Sequence, residues 1–400
     1  MHRLVFALLI IPLVMGLFPG SIRAEADIAA IEVDYLFGDQ VVYRIIIESE
    51  SSIDKGLIFI RDLETGNTIS GNMSFTCQDT LAVCSLEYLQ DMETEPLAPF
   101  SIIEYWFEIK FENGEGITVP KRTFTYFDNR PDWQVIEQAP VSVYWYDGDL
   151  DHALIISNVA RDSIESSTSL LSLSVPDRID IYVSPNAGSL DQLFADHDQR
   201  LIAGHARTRA DVVLVALPDS PQAERLIEQR VPHEIMHILL SEQLGPNYDN
   251  LPVWLTEGLS TLVEVYQNPD YEVLLNDAQK NGTLLEMESI CQSFPQDVLG
   301  SMLAYSQAAS FTRYIYNRFG SSGLEALIES YADGKSCYFG PQDSLGMSLD
   351  QLETEWRQDV FGEDQNNTIL LNLLPWVLLV GAILFFPIIF ALILLRRRDR

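Results

Sequence analysis

Positive charge is what this 400-residue chain has least of: 25 lysines and arginines stand against 58 aspartates and glutamates, a net charge of −33. So acidic a surface is repelled by phosphate backbones, which excludes nucleic acid as a partner. Histidine is rarer still, with six residues, and the four cysteines show neither a CxxC nor a Cys/His knuckle spacing. Zinc binding through thiolates is thereby excluded. No internal repeat or long low-complexity tract occurs. The 47% hydrophobic content rules out global disorder, and the length allows two or three domains.

The apolar residues are concentrated at the two ends. His2 and Arg3 precede an apolar run from Leu4 to Phe18, followed by small or polar residues to Ala24. This pattern predicts a signal peptide over residues 1–24. Leu373 to Leu395 is an uncharged run of 23 residues, with Arg396, Arg397 and Arg398 directly after it. It predicts a transmembrane helix within residues 369–395 and a cytoplasmic tail at 396–400. The expected location is therefore the cell membrane, with a single pass and the bulk of the chain extracytoplasmic. Export permits disulfides, and proximity in sequence pairs Cys77 with Cys84 and Cys291 with Cys337.

Residues 25–138 carry β-branched and aromatic runs at Val41–Ile47, Gly56–Ile60, Ile102–Ile109 and Arg122–Phe127, separated by turn signals. They predict an immunoglobulin-like β-sandwich without a catalytic constellation. Residues 139–362 begin with strands at Val141–Tyr146, Ile179–Val183 and Val212–Leu217, with an amphipathic helix from Leu150 to about Leu173. Helices follow at Pro221–Leu244 (interrupted by Pro232), Pro252–Tyr266, Leu299–Phe319, Gly323–Tyr331 and Leu349–Phe361. The expected class is α+β, with a mostly helical C-terminal half.

Chemistry gathers in Val231-Pro232-His233-Glu234-Ile235-Met236-His237, which contains HExxH. Four residues turn a helix by about 400°, so His233 and His237 share a face and can reach one ion. Glu234, rotated by about 100°, flanks that ion where a base for an attacking water is needed. Farther on, Leu251-Pro252-Val253-Trp254-Leu255-Thr256-Glu257-Gly258 places a carboxylate one turn into a new helix. Two histidines and a carboxylate form a catalytic zinc site with a fourth position open. Glu264, two turns beyond Glu257, could accept the free N–H of a ligating histidine.

HEIMH followed by WLTEGL resembles the gluzincin zinc peptidases, especially the peptidase MA-like domains of anchored, exported prokaryotic proteins. The resemblance covers roughly residues 139 to 331. It implies His233, His237 and Glu257 as ligands of one Zn2+, Glu234 as general base and Glu264 behind the ligands. It also implies an oxyanion-stabilising tyrosine on a later helix, for which Tyr305 is the candidate ahead of Tyr314 and Tyr316. The spacing between His237 and Glu257 is one residue longer than aminopeptidase-type members usually have, and no Gly-x-Met-Glu-Asn segment is present. Endopeptidase and aminopeptidase activity both stay open. His152, His197 and His205 lack ligand spacing and read as ordinary surface or packing residues.

The expected function is thus a membrane-anchored zinc metallopeptidase acting on a peptide or protein, with the Val212–Leu217 strand offering an edge to extended substrate. The alternative is a non-catalytic, zinc-stabilised binding or adhesion protein. An intramembrane protease is excluded, because Glu228-Gln229-Arg230 and Ser241-Glu242-Gln243 make the motif helix too short and polar to lie in a bilayer.

Overall fold

The protein is described here from a computed structural model, covering residues 26–78, 83–193, 204–362, 373–380 and 383. Two compact units divide between Arg130 and Pro131, with residues 99–101 grouped with the second.

Alternation builds the first unit. Its strands are β1 (Ala26–Leu36), β2 (Gln40–Ser49), β3 (Ile53–Asp62), β4 (Thr68–Asn72), β5 (Ser74–Gln78), β6 (Val83–Asp91), β7 (Ser101–Phe111), β8 (Gly116–Thr118) and β9 (Arg122–Tyr126). They form two antiparallel sheets, ordered β1-β2-β6-β5 and β4-β3-β7-β8, with β9 also on β7. Every second residue points inward, so Val41, Tyr43, Ile45 and Ile47 of β2 and Ile103, Tyr105, Phe107 and Ile109 of β7 are buried. The two inner faces meet at the rings of Tyr43 and Tyr105, 5.4 Å apart. The four apolar runs of the sequence became β2, β3, β7 and β9. A disulfide joins Cys77 of β5 to Cys84 of β6, as expected.

The second unit begins with the hairpin β10 (Gln134–Gln138) and β11 (Val141–Trp145), so residues 134–138 pair with this unit's sheet. Helix α1 (Leu150–Leu170) leads to β12 (Ile179–Ser184), α2 (Ala187–Leu193), β13 (Gly204–Arg207) and β14 (Val212–Ala216). The mixed sheet runs β10-β11-β12-β14-β13. The strand at Val212 is therefore internal, and the edge beside it is β13, which the sequence reading had passed over. Strand β14 is apolar throughout and fully buried, whereas the polar β13 carries no such signal.

Helices then dominate: α3 (Ala223–Leu244), a 3-10 turn at Gly245–Asn250, α4 (Val253–Leu262), α5 (Asp270–Asn281), a short turn at Met287–Ile290, α6 (Val298–Ala332), α7 (Gly340–Leu345) and α8 (Leu349–Phe361). The backbone of α6 breaks at Gly320, which matches the two helices expected on either side of it. Trp254, Phe311 and Trp356 centre a helical core, while α1 and α3 cover the sheet in a second core. The Cys291–Cys337 disulfide forms as expected, and both partners touch the first turn of α4. The Val253 N–H donates to the Cys291 carbonyl at 2.8 Å, and the Trp254 indole N–H to the Cys337 sulfur at 3.4 Å.

The expected signal peptide, the cytoplasmic tail and most of the expected transmembrane run lie outside the described residues. Among the described residues no helix is long and apolar enough to cross a membrane.

The Cys291–Cys337 bridge spans 46 positions, and closing a loop of that length stabilises a fold by about 4 kcal/mol. Replacing both cysteines with alanine should lower the urea midpoint by the corresponding amount. A midpoint equal to that of the parent chain would show that the bridge adds nothing.

Candidate metal centre

Helix α3 has three faces with three destinations. Ile227, Val231, Ile235 and Ile238 pack on the sheet, and Met236 and Leu240 enter the helical core. The third side presents His233 and His237, one turn apart. Their rings lie 5.1 Å apart, centroid to centroid.

Pro232 does not interrupt this helix; α3 is continuous through it. A proline has no N–H, so the Glu228 carbonyl one turn earlier loses its helical donor. That carbonyl instead accepts the N–H groups of Val265 at 3.0 Å and Tyr266 at 3.4 Å. The chain leaving α4 is thereby docked on α3 immediately before the first histidine. Glu264 lies beyond the end of α4, which stops at Leu262, and not two turns along the same helix as the sequence implied. Its reach to His233 comes from the docked backbone.

Helix α4 must come close as well. A Cβ on Gly258 would fall 2.6 Å from the Ala308 carbonyl and 2.1 Å from Thr312 Oγ1, so only glycine lets α4 seat on α6 with the neighbouring Glu257 facing α3. Nε2 of His233 is 3.1 Å from Glu257 Oε2, and Nε2 of His237 is 3.8 Å from it. One donor atom from each of His233, His237 and Glu257 lies within 4.8 Å of the others. The outward Nδ1 atoms are also held, that of His233 by Glu264 at 2.9 Å and that of His237 by the Tyr248 hydroxyl at 2.9 Å. Two inward imidazole nitrogens, one carboxylate and a buttress behind each ring are the donor set of a zinc site, so the residues fit that metal.

Glu234 is buried beside this cluster without belonging to it. A Cβ at Gly204 of β13 would sit 2.5 Å from Glu234 Oε1, so the edge strand leaves room for that carboxylate only by lacking a side chain there. Burial raises the Glu234 carboxyl above its usual range, against the pull of His233 and His237. Burial alone would also raise Glu257, but the imidazoles beside it, His237 foremost, hold it well below that range. For His233, burial favours the neutral ring, yet the hydrogen bonds to Glu257 and Glu264 outweigh it and raise the imidazole well above its ordinary value.

Of the tyrosine candidates, only Tyr305 arrives at the centre. Its ring is 6.4 Å from that of His233, and the nearby Glu257 charge, together with burial, lifts the phenol well above its normal range. Tyr314 instead bonds Glu355 and Arg318, and Tyr316 packs on the helical core. His152 is buried on α1, and His197 lies outside the described residues.

His205 is a packing residue on the strand beside the centre. It sits on β13 near enough to His237 and Glu257 to feel both, and burial, with Arg207 and His237, lowers its imidazole to about 3. Gly204, His205 and Tyr248 were all missed. They come from an edge strand and a turn, which periodicity does not mark, and the Gly245-Pro246 turn signal was the only hint of Tyr248's setting.

Purified protein should hold one zinc per chain by elemental analysis. Glu257→Ala and His237→Ala should each lose it, whereas Gly204→Ala, which disturbs only Glu234, should keep it. Full metal content in Glu257→Ala would remove that residue from the site.

Residues 159–362 match the family model of the Peptidase MA superfamily. No curated protein matches the chain. Among solved structures, an M1 zinc metallopeptidase from Deinococcus radiodurans aligns over 84% of this chain and 94% of its own, with 11% identity and a TM-score of 0.37. An aminopeptidase N family protein from Idiomarina loihiensis aligns over 86% and 74%, with 10% identity and a TM-score of 0.36. A β-1,3-glucan-binding domain of carbohydrate-binding module family 56 aligns over 24% and 98%, with 17% identity and a TM-score of 0.17. These three scores are too low to carry weight. The family match spans half of the 400 residues and includes the whole histidine–glutamate cluster, so the chain belongs to the Peptidase MA superfamily.

Proposed function

We propose that the protein is a zinc-dependent metallopeptidase, exported and anchored by its C-terminal apolar run. The observation that carries the reading is the convergence of His233, His237 and Glu257 with Glu234 beside them but outside the cluster. A structural zinc site would need the first three residues and not the fourth.

His233, His237 and Glu257 would hold the ion. When bound, zinc supplies a Lewis acid that makes water acidic enough to attack near neutral pH and polarises the scissile carbonyl. Glu234, a buried carboxylate of raised basicity, accepts the proton of the attacking water and returns it to the leaving amine. Tyr305, with its proton firmly held, donates a hydrogen bond to the oxyanion as negative charge develops there. Strand β13, which passes beside Glu234, is the last strand of this sheet among the described residues, and the alignment of an extended peptide is assigned to it. This transfers the substrate-pairing role expected of the Val212 strand to its outer neighbour. Superfamily membership supports a peptide or protein as substrate; endo- and exopeptidase action are equally compatible with it.

We propose an immunoglobulin-type sandwich for the N-terminal unit, a reading supported by two antiparallel sheets, β1-β2-β6-β5 and β4-β3-β7-β8, with β9 also on β7. Its proposed role is that of a spacer between a membrane-tethered peptidase and its surroundings. The location at the cell surface is supported by the apolar runs at both ends of the sequence and by the two disulfides.

Glu234→Gln should retain zinc and lose peptide hydrolysis by several orders of magnitude, measured against a mixed peptide library after metal analysis. Chelation should silence the parent enzyme, and added zinc should restore it. Cleavage by Glu234→Gln at the parental rate would refute this mechanism. A zinc-loaded parent chain that cleaves nothing would favour a binding or adhesion role instead.

A further inference from the structure

We propose that Tyr248 is a positioning residue of the metal centre, fixing the orientation and tautomer of His237 through its hydroxyl. This inference rests on the zinc reading above and goes beyond it.

The turn that carries Tyr248 has little other business indoors. Gly245, Pro246, Asn247, Asp249 and Asn250 are all exposed, and Tyr248 alone turns inward to pack on the helical core. Its hydroxyl ends 2.9 Å from Nδ1 of His237. The turn is secured on both sides of it: the Leu251 N–H donates to the Tyr248 carbonyl at 3.1 Å, Asp249 pairs with Arg209 at 2.9 Å, and the Asn250 amide donates to the Ala332 carbonyl at 3.0 Å. A side chain held this way has few rotamers open to it.

The tautomer follows from the ring's two neighbours. Nε2 of His237 faces the Glu257 carboxylate, 3.8 Å away, and lies among the three converging donor atoms. A lone pair on Nε2 requires the proton on Nδ1, so the imidazole N–H donates and the tyrosine oxygen accepts. With the hydroxyl absent, the ring would lose this hold on Nδ1: the other tautomer would place a proton where the ion should sit, and the ring could turn about its χ2 axis.

The two ligands are consequently buttressed by different chemistry. His233 leans on a carboxylate, Glu264, whereas His237 leans on a phenol. Glu234, Glu257 and Glu264 already bring three carboxyl groups to the site, and a fourth behind His237 would add repulsion. A phenol orients the ring without bringing another charge. This makes Tyr248 a fixture of the centre rather than a filler of the turn.

The test uses the full chain with Tyr248→Phe, which keeps the ring and its packing and removes only the oxygen. Zinc affinity is measured by competition with a chelator, and the imidazole N–H signals are observed by NMR in the cobalt-substituted protein. Tyr248→Phe should bind zinc about 10- to 100-fold more weakly, with faster solvent exchange of one of the two imidazole N–H signals. The unfolding midpoint of the metal-free chain should stay at the parental value, separating positioning from packing. Tyr248→Leu, which also removes the ring, should weaken zinc at least as much. A parent chain that binds zinc and a Tyr248→Phe chain that binds it equally well, with unchanged exchange, would overturn this proposal alone. A parent chain that takes up no zinc would overturn the zinc reading and this one with it.

Discussion

Carboxylates and imidazoles removed from water are tolerable only when each has a partner, and the C-terminal unit is organised around that demand. Glu234, His237 and Glu264 are buried, and His233 and Glu257 nearly so, within a unit whose other interior groups are overwhelmingly apolar. Two imidazoles cannot neutralise three carboxylates while remaining neutral themselves, as metal ligation requires. A divalent cation between them would offset most of that charge. Without one, the same charges are accommodated by holding a proton on His233, which is the direction its titration takes.

Bringing these groups together takes two helices, the segment that follows the second and a strand, and a backbone feature helps to position each. The carbonyl released by Pro232 docks the segment that carries Glu264. The missing side chain at Gly258 seats the helix that carries Glu257, whose first turn also rests on both halves of a disulfide. The missing side chain at Gly204 leaves room for Glu234 under the sheet edge.

This explains which parts were legible in the sequence. His233, Glu234 and His237 lie on a single helix, where spacing alone fixes their geometry, and Glu257 is placed by a strong start signal at Pro252. The strands containing Val41, Ile58 and Phe107 announce themselves because both burial and alternation act on consecutive residues. Glu264 was reached in the sequence through a helix that ends before it, and its contact with His233 is made from the docked segment instead. Tyr248 and His205 reach the centre from a turn and an edge strand, whose approach is settled by long-range packing that no local pattern encodes. Pro232 was misjudged in the opposite sense: local rules mark it as a helix breaker, whereas the released carbonyl finds new donors across the unit.

Pro232 also sets a trap for anyone who wishes to harden this protein. Intrinsic helix preference would nominate it first for exchange to alanine, because every neighbour in α3 is already helical. The new amide would compete for the Glu228 carbonyl now shared by Val265 and Tyr266. Thermal robustness gained in one helix would then be taken from the grip on an imidazole two segments away. The worst position in the helix by propensity is the one that ties the outer carboxylate to its ring, so tolerance of heat and the geometry of the histidine–glutamate cluster pull against each other at a single residue.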